Sequence, residues 1–524
     1  MTEIVEGIAV IVPEPAEKEE EEVEKEPIKI RIALFFDGTL NNRLNIEARE
    51  KISTDYTKKT GFLGFFERDS NSNSYDNGRT NINIMQKSIS QSFKPEGVDY
   101  YKPFYIEGQG TFDLKEDSTY GYAFGAGASG VRGRANQGVK DAYNYITGGL
   151  KDFDKSIHYI EELTFDVFGF SRGAATARYA IYQLLKSMTN MHVRLKRARI
   201  QIEKEAITVG FAGLYDTVLS YMVHQRWKAD INLCEQESHK FATKTLHLAS
   251  AEEHRADFPV HDISKGSGDE FFLPGVHSDV GGSYNMADEE KIRKESDPAK
   301  QRALIMLTRN ETDLTIFEGN LVEVIQEKEN LRVQGWYVGT TENRSKTAIE
   351  DDAKKTIKWG AQQRKNKVDL PTDKEFTISL FFSPPLEHGP RGRSISRKNH
   401  GPYRFRYAAL TINRVKIKTG YSNIPLKIMA KYAKEHAKLN FEPEMLKRAD
   451  KVIDKCDLGA VEGKIKKYLK KKPTGSAATD WLTGDNNKYL KPIRHEHLNF
   501  SAKCKLGYKP RIIDGKRVRY IFNA

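Results

Sequence analysis

The sequence predicts an α/β fold built around a mostly parallel sheet. Short apolar segments at 28–36, 163–170, 207–211 and 270–273 are each followed by a polar loop. Residues 174–188, which have small side chains near their start, form a helical pattern directly after the second segment. Strand, polar loop and helix in repeated order are typical of a parallel sheet with helices on its faces.

Composition supports a large globular protein and excludes several other classes. The 524 residues are 38% hydrophobic and 30% charged, which is enough for a sizeable core and excludes disordered and collagen-like chains. Three distant cysteines without a CxxC pair argue against a disulfide framework and a structural zinc site. We expect no cofactor and no metal ion. No apolar run approaches the ~18 residues of a transmembrane helix.

Four regions follow from the changes in composition along the chain. Residues 1–27 hold ten Glu and two Lys and predict an acidic, disordered tail. Residues 28–284 carry the repeated strand and loop pattern and form the predicted catalytic core. Residues 285–405 are charged and irregular, and we interpret them as an inserted α+β module that approaches a membrane. Residues 406–524 predict a basic, helical region that completes the core and docks on membrane.

Local patterns justify the individual elements. Alternating apolar residues over 28–36 predict the first strand, and the Gly-rich stretch 121–138 leads into a helix around 139–146. In the inserted module we expect a small β part at 314–333 and 376–382. In the last region, 424–433 predicts a helix capped by Asn423 with Pro425 in its first turn. Residues 67–80 read as a surface loop.

The segment Gly169-Phe170-Ser171-Arg172-Gly173 has the pattern of a nucleophile elbow. A strand precedes it and a helix rich in small residues follows, which is the context that such a turn requires. The elbow holds a serine hydroxyl clear of the sheet. It also places the backbone N–H of Arg172 at a helix N-terminus, where it can stabilise an oxyanion. This favours an α/β-hydrolase-like fold, although an ordinary tight turn with a surface serine is the alternative.

A nucleophilic serine needs a base, and the base needs an orienting acid. In this fold the order along the chain is serine, acid, histidine. Asp216 and His277 satisfy that order, and each follows a predicted strand. The rival bases His247, His254 and His261 lie between them, and Asp279 is an alternative partner for the imidazole.

Four ordered motifs closely resemble the DUF2235 family, which includes the type VI secretion lipase effectors of the Tle1 group. The motifs are Phe-Phe-Asp-Gly-Thr at 35–39, the elbow at 169–174, Gly-Leu-Tyr-Asp-Thr-Val at 213–218 and Pro-Gly-Val-His-Ser-Asp-Val-Gly-Gly at 274–282. The resemblance implies an α/β-hydrolase phospholipase whose triad is Ser171, Asp216 and His277. Residues 286–524 match only loosely and receive no residue roles.

The resemblance also implies where such a protein works. It implies an antibacterial effector that acts on the phospholipids of a rival cell. The apolar stretch 7–12 is short and follows Glu3 and Glu6, so we expect no Sec signal and synthesis in the bacterial cytoplasm. The expected partners are a spike or tube component of the secretion apparatus and a cognate immunity protein. A soluble esterase acting on a non-lipid ester and a non-catalytic interaction protein are the two alternatives.

The second oxyanion donor is predicted in the loop after the first strand. The N–H of Gly38 or Thr39 is expected near Ser171, with Asp37 accepting hydrogen bonds that hold the loop, although a plain turn is an equal alternative. The sequence does not identify residues that bind the substrate. Residues 60–80 and 286–405 are candidates for a lid.

Other patterns carry less weight. Phe-Asp-Gly-Thr-Leu at 36–40 is similar to a phosphatase motif, but Phe35 stands where the nucleophilic aspartate would be needed. Gly125 to Gly130 spells GxGxxG without a preceding strand, so a dinucleotide site is rejected. The basic stretches 391–398 and 464–472 are read as solvated faces, with docking on anionic lipid as the alternative. We expect no nucleic-acid partner, because no aromatic-interleaved or zinc motif is present.

Overall fold

The computed structural model describes most of the chain. The described residues are 25–50, 74–75, 77–90, 92–118, 127–219, 237–264, 266, 268–283, 301–307, 314–337, 346–362, 367–370, 375–383, 404–414, 417–471, 484–502, 512–513 and 516–522. The predicted acidic tail up to residue 24, most of the loop 67–80, the start of the Gly-rich stretch and the basic stretch 391–398 lie outside these residues.

A six-stranded parallel sheet forms the centre of the protein, in the order β2-β1-β3-β4-β5-β7. Its strands are β1 (Glu26–Phe36), β2 (Tyr100–Ile106), β3 (His158–Phe170), β4 (Ile207–Tyr215), β5 (Ala242–Ser250) and β7 (Gly268–Leu273). The four predicted strands are therefore present, and the first begins at Glu26, before the predicted end of the tail. Because all six strands are parallel, the loops after them meet at one edge.

Both faces of this sheet are covered. Alternate residues of β1 point to opposite sides, so that Ile32 and Leu34 join one hydrophobic cluster while Ala33 and Phe35 join another. The helices near the sheet are α1 (Arg43–Glu50), α2 (Asn81–Lys87), α3 (Val131–Asn144), α4 (Arg172–Leu185), α5 (Met191–Arg197) and α6 (His277–Gly281). The cluster with Ile32 is closed by α3, α4 and α5.

A second, antiparallel sheet lies in the predicted inserted module. It has the order β8-β11-β10-β9, with β8 (Gln301–Leu307), β9 (Lys367–Asp369), β10 (Phe376–Ser383) and β11 (Arg404–Arg414). Two helices accompany it, α7 (Leu314–Gln334) and α8 (Lys346–Gln362). Strand β11 crosses the predicted boundary between residues 405 and 406, so the last region contributes to this sheet.

The prediction of β structure over 314–333 is wrong, because this stretch forms the helix α7. The buried side chains Phe317, Leu321, Val324 and Ile325 recur at intervals of three and four, which places them on one face of a helix. The prediction of a strand at 376–382 is confirmed by β10.

The described part of the last region contains four α-helices. Its helices are α9 (Asn423–His436), α10 (Pro443–Lys455), α11 (Gly459–Lys471) and α12 (Gly484–Glu496). Ser422, not Asn423, is the residue before α9, and the Asn423 amide donates to the Gly420 carbonyl at 2.9 Å. Buried residues of α9, including Ile424 and Met429, pack in the same hydrophobic cluster as Phe35 and Leu380.

Three short strands lie in the last described residues. Strands β12 (Ile512–Ile513) and β13 (Lys516–Arg517) pair with each other, whereas β14 (Ile521–Phe522) pairs in parallel with β6 (Val260–His261). None of the helices among the described residues combines the length and apolar character needed to cross a bilayer.

Candidate active site

Ser171 lies in the turn between β3 and α4, at the carboxyl edge of the parallel sheet. Its backbone has φ 60° and ψ −128°, a conformation that L-residues rarely adopt and that the tight elbow imposes. The Ser171 N–H donates to the carbonyl of Tyr215, the last residue of β4, at 3.0 Å. This hydrogen bond fixes Ser171 beside Asp216, the residue that follows Tyr215.

The two glycines of the motif permit this turn. A Cβ atom on Gly169 would lie 2.4 Å from the Gly173 carbonyl oxygen, and one on Gly173 would lie 2.3 Å from the carbonyl oxygen of Asp37. These clashes are with backbone atoms, which cannot move aside as a flexible side chain could. The elbow therefore needs glycine at both positions, first to close the turn and then to admit the loop after β1.

His277 is hydrogen-bonded to Asp216. The Asp216 Oδ2 atom lies 2.5 Å from Nδ1 of His277, and both side chains are buried. An ionised carboxylate only accepts, so Nδ1 carries the proton and Nε2 is the acceptor in the neutral ring. Although 61 residues separate the two, the loops after β4 and β7 bring them together as the sequence order predicts.

Burial and charge set the protonation of the pair. Burial lowers the pKa of His277 below its ordinary value of 6.5, and the hydrogen bond that its Nδ1 donates to Asp216 only partly opposes this. Burial alone would raise the pKa of Asp216. The Arg519 charge and the His277 hydrogen bond outweigh it and hold the pKa of Asp216 well below its usual range. At neutral pH the pair is a carboxylate and a neutral imidazole.

Aromatic rings fix the position of the imidazole. The ring centroid of Phe170, which precedes Ser171 in the chain, lies 4.6 Å from that of His277. On another side Phe258 approaches His277 edge-on at 5.1 Å, and the Arg255 guanidinium lies 3.3 Å from the centroid of the Phe258 ring. The contacts limit rotation of the imidazole and exclude water from its faces.

The alternative partners named from the sequence have other contacts. Asp279 accepts from the backbone N–H groups of Val276 at 2.9 Å and Asn499 at 3.1 Å, so it braces its own loop. Among the described residues, Asp216 accepts from His277, Arg519 and Ser250 and from none of the three rival histidines. The nitrogens of one rival, His247, are occupied by Glu270 at 2.7 Å and by the N–H of Thr217 at 3.0 Å.

The loop after β1 lies against the elbow. Asp37 is buried and accepts hydrogen bonds from the Gly38 N–H and the Thr80 hydroxyl, both at 2.7 Å, and from the Tyr105 hydroxyl at 2.6 Å. The Arg172 Nε donates to the Thr39 hydroxyl at 2.6 Å. Asp37 thus holds the loop in the way the sequence suggested. The Gly38 N–H donates to the Asp37 carboxylate, and an oxyanion donor in this loop stays a prediction.

Sequence reasoning missed the acidic pair that supports the histidine loop. After β5, Glu252 accepts from the Gly275 N–H at 2.9 Å and is ion-paired with Arg494 of α12. Its neighbour Glu253 accepts from the His277 N–H at 3.2 Å and from the Ser501 hydroxyl at 2.8 Å. The local signal in the sequence is the Glu-Glu pair itself, which begins two residues after the end of β5. The partners of these two glutamates are remote in the chain, so no local pattern pointed to them.

In the part of the chain that the structure describes, no group of three or more His, Cys, Asp or Glu side chains is arranged to hold a metal ion. The His277 imidazole and the Asp216 carboxylate lie at the sheet edge that also carries the Ser171 elbow. Such a set suits nucleophilic attack by a hydroxyl and stabilisation of an oxyanion.

Comparison with known proteins gives two findings on sequence and fold. Residues 185–304 match the family model described as type VI secretion phospholipase effector Tle1-like, catalytic domain. The fold matches that of the Tle1 effector bound to the VgrG spike of the type VI secretion system, with a TM-score of 0.53 over 95% of this chain and 94% of that one, at 20% identity. The predicted resemblance to the Tle1 group is confirmed.

The fold of this chain is thus α/β-hydrolase-like, as the sequence predicted. Its similarity to the Tle1 structure extends over 95% of the chain. The match to the family model includes Asp216 and His277 and begins after Ser171. A crystal structure of an uncharacterized protein from Pseudomonas aeruginosa aligns over 50% of this chain and 42% of its own, with a TM-score of 0.30 and 19% identity. A sequence search of curated proteins finds no match.

Proposed function

We propose that this protein is a phospholipase of type A that hydrolyses carboxylic ester bonds through Ser171, His277 and Asp216. The observation that carries the proposal is the buried 2.5 Å contact between His277 and Asp216 at the sheet edge where the Ser171 elbow lies. The resemblance to the Tle1 phospholipase effectors supports the reaction class.

In the first half of the reaction an acyl-enzyme forms. Nε2 of His277 takes the hydroxyl proton while Ser171 Oγ attacks the ester carbonyl, and Asp216 stabilises the imidazolium that results. The oxyanion is held by the N–H of Arg172, at the start of α4, and by that of Thr39. The C–O bond to the lysophospholipid then breaks, and His277 returns the proton to the leaving oxygen.

In the second half water completes the hydrolysis. His277 takes a proton from the water, whose oxygen attacks the acyl carbon, and the bond to Ser171 Oγ breaks as the proton returns to the serine. The products are a free fatty acid and a lysophospholipid. No group beyond this chain and water is needed to balance the reaction.

A lipid surface is the substrate form that charge favours. The chain carries a net charge of +12. Helix α11 exposes five lysines on its surface: Lys464, Lys466, Lys467, Lys470 and Lys471. Each Lys close to an anionic membrane adds about 1 kcal/mol of attraction. We propose that this basic helix helps the enzyme approach anionic head groups, as the sequence suggested for the last region.

The test is release of fatty acid from phosphatidylethanolamine and phosphatidylglycerol vesicles, with different acyl chains at the two glycerol positions and mass spectrometry as the readout. We expect the natural chain to release one fatty acid and Ser171→Ala to release none. Ser187→Ala is the matched control, because Ser187 is also buried but lies beyond the other end of α4.

The result also separates the alternatives. If the protein hydrolyses monomeric esters and its rate does not increase on vesicles, it is a soluble esterase and not a lipase. Vesicle binding without hydrolysis by any of the folded variants would favour a non-catalytic interaction protein.

We further propose delivery by the type VI secretion apparatus from the bacterial cytoplasm into the periplasm of a target cell. The structural likeness to a Tle1 effector bound to a VgrG spike supports a spike as carrier, and a cognate immunity protein would protect the producer. Secretion is expected from cells with a contractile apparatus and should disappear when the sheath cannot contract. Equal secretion from cells with a contractile sheath and from cells whose sheath cannot contract would contradict this route.

A further inference from the structure

Arg519 binds the same Asp216 carboxylate that His277 contacts. Its Nη1 lies 2.6 Å from Oδ1 and its Nη2 lies 2.8 Å from Oδ2, so both guanidinium nitrogens bind one carboxylate. The same Nη1 donates to the carbonyl oxygen of Ser250 at 2.6 Å, and Nε donates to the carbonyl oxygen of Phe258 at 3.1 Å. The forked geometry fixes the plane of the Asp216 carboxylate as well as its charge.

The segment that carries Arg519 is anchored beside the acid. Strand β14 follows Arg519 and pairs with β6, and the Val260 N–H donates to the Tyr520 carbonyl at 2.9 Å. The Phe522 ring stacks on His261 with centroids 5.1 Å apart. The His261 N–H in turn donates to the carbonyl of Thr217, the residue after Asp216, at 2.9 Å. The arginine is therefore held in register with the loop that bears the acid.

The contact is buried at both ends. The Asp216 side chain has no exposed surface and that of Arg519 is 6% exposed. A carboxylate buried to this degree needs a partner charge, and neutral His277 does not supply one. The Oδ2 atom is shared by Arg519, His277 and the Ser250 hydroxyl. Its direction toward the imidazole thus depends on how the other two donors hold it.

We propose that Arg519 is a positioning residue, which keeps the Asp216 carboxylate ionised and directed at His277 during the hydrolysis. The inference rests on the function proposed above and adds a residue that lies 303 positions from the acid in the sequence. Arg519 acts through Asp216 and does not touch the reacting atoms.

The test compares Arg519→Ala and Arg519→Lys with Arg517→Ala. Arg517 is a matched control in the same segment: its side chain is 4% exposed, and its Nε donates to Glu327 at 2.6 Å, away from Asp216. Arg519→Ala is expected to lower kcat at least tenfold with little change in KM, and less than the about 10⁴-fold loss typical when the triad acid is replaced. Arg519→Lys should recover part of kcat, since it restores the charge without the fork.

The pH profile provides a readout that a packing defect would not change. His277 is flanked by the charges of Asp216, Glu253 and Arg255. Without the positive charge of Arg519, the Asp216–His277 pair takes up a proton at higher pH, whether that proton rests on the carboxylate or on the imidazole, and neither protonated form keeps a neutral base beside a carboxylate. The acid limb of kcat/KM is then expected to move to higher pH in Arg519→Ala and to stay in place in Arg517→Ala.

A second measurement does not depend on any substrate. The Nδ1 proton between His277 and Asp216 should give a downfield proton NMR resonance that His277→Ala removes. Its shift should change in Arg519→Ala and remain in Arg517→Ala. If the shift changes only in Arg519→Ala while neither the natural chain nor any variant hydrolyses lipid, the proposed function fails and the positioning role of Arg519 stands. If the resonance, kcat and acid limb of folded Arg519→Ala or Arg519→Lys match those of Arg517→Ala, the inference is overturned.

Discussion

At the scale of residues, the environment of His277 suits it to accept a proton. Burial lowers the pKa of its ring, while Asp216 occupies Nδ1 at 2.5 Å. Its Nε2 is then the basic nitrogen at neutral pH. A buried imidazolium formed during attack would be costly without Asp216, whose own charge Arg519 sustains.

The lowered pKa of His277 leads to a prediction on pH. The base must be neutral, so the activity should fall as pH decreases through the pKa of His277, and we expect the midpoint of the acid limb of kcat/KM below 6.5. Burial is the main cause, Arg255 adds to it, and Asp216 and Glu253 oppose it. A pH profile on a soluble ester checks this.

Asp216→Asn supplies the control for that profile. It removes a charge that favours the imidazolium, so the midpoint should move to still lower pH while kcat falls by about 10⁴-fold. An acid limb with its midpoint at or above 6.5 in the natural chain would contradict the role of burial described here.

At the scale of elements, the parallel strands position the candidate active site. The elbow at Ser171 requires the start of α4 to lie close to the backbone of the loop after β1. The loops after β1, β3, β4, β5 and β7 all lie at one edge of the sheet. The start of α4 packs so tightly on the loop after β1 that a side chain on Gly173 would collide with the Asp37 and Phe36 carbonyl oxygens at 2.3 and 2.4 Å. Because these two segments lie so close together, the Arg172 side chain also reaches the Thr39 hydroxyl.

Gly173→Ala should therefore damage both stability and activity. The added methyl group must push two backbone carbonyls away, which typically costs about 1–3 kcal/mol of unfolding free energy and displaces the proposed oxyanion loop. Denaturant unfolding and kcat on a soluble ester measure the two effects.

Gly463→Ala is the matched control for this variant. Gly463 lies within α11, and a Cβ atom there would meet no other atom within 4 Å. It should raise the unfolding free energy by about 0.5–1 kcal/mol and leave kcat unchanged. Equal stability and kcat for Gly173→Ala and the natural chain would show that the elbow tolerates a side chain.

At the scale of the whole molecule, the last third of the chain returns to the site. Arg494 pairs with Glu252, the Asn499 N–H donates to Asp279 at 3.1 Å, and Arg519 binds Asp216. These contacts join the last region to the loops that follow strands of the parallel sheet. The role of the last region at a membrane stays a prediction.

The sequence predicted the sheet and the order of the triad candidates because those signals are local. Alternating apolar residues indicate strands, and the Gly-x-Ser-x-Gly pattern is only five residues long. Arg519 could not be found in this way, since it contacts Asp216 across 303 positions. The β structure expected at 314–333 was wrong, because the intervals of three and four residues between Phe317, Leu321 and Val324 are those of a helix face.

The proposed hydrolysis requires that Ser171 is a nucleophile activated by His277. The most direct test is reaction with a fluorophosphonate, which phosphonylates activated serines, followed by peptide mass spectrometry. We expect a single adduct on Ser171 in the natural chain, at least a hundredfold slower labelling in His277→Ala, and unchanged labelling in His192→Ala, a histidine of α5. An adduct on another residue, or labelling of Ser171 at the same rate without His277, would contradict the account.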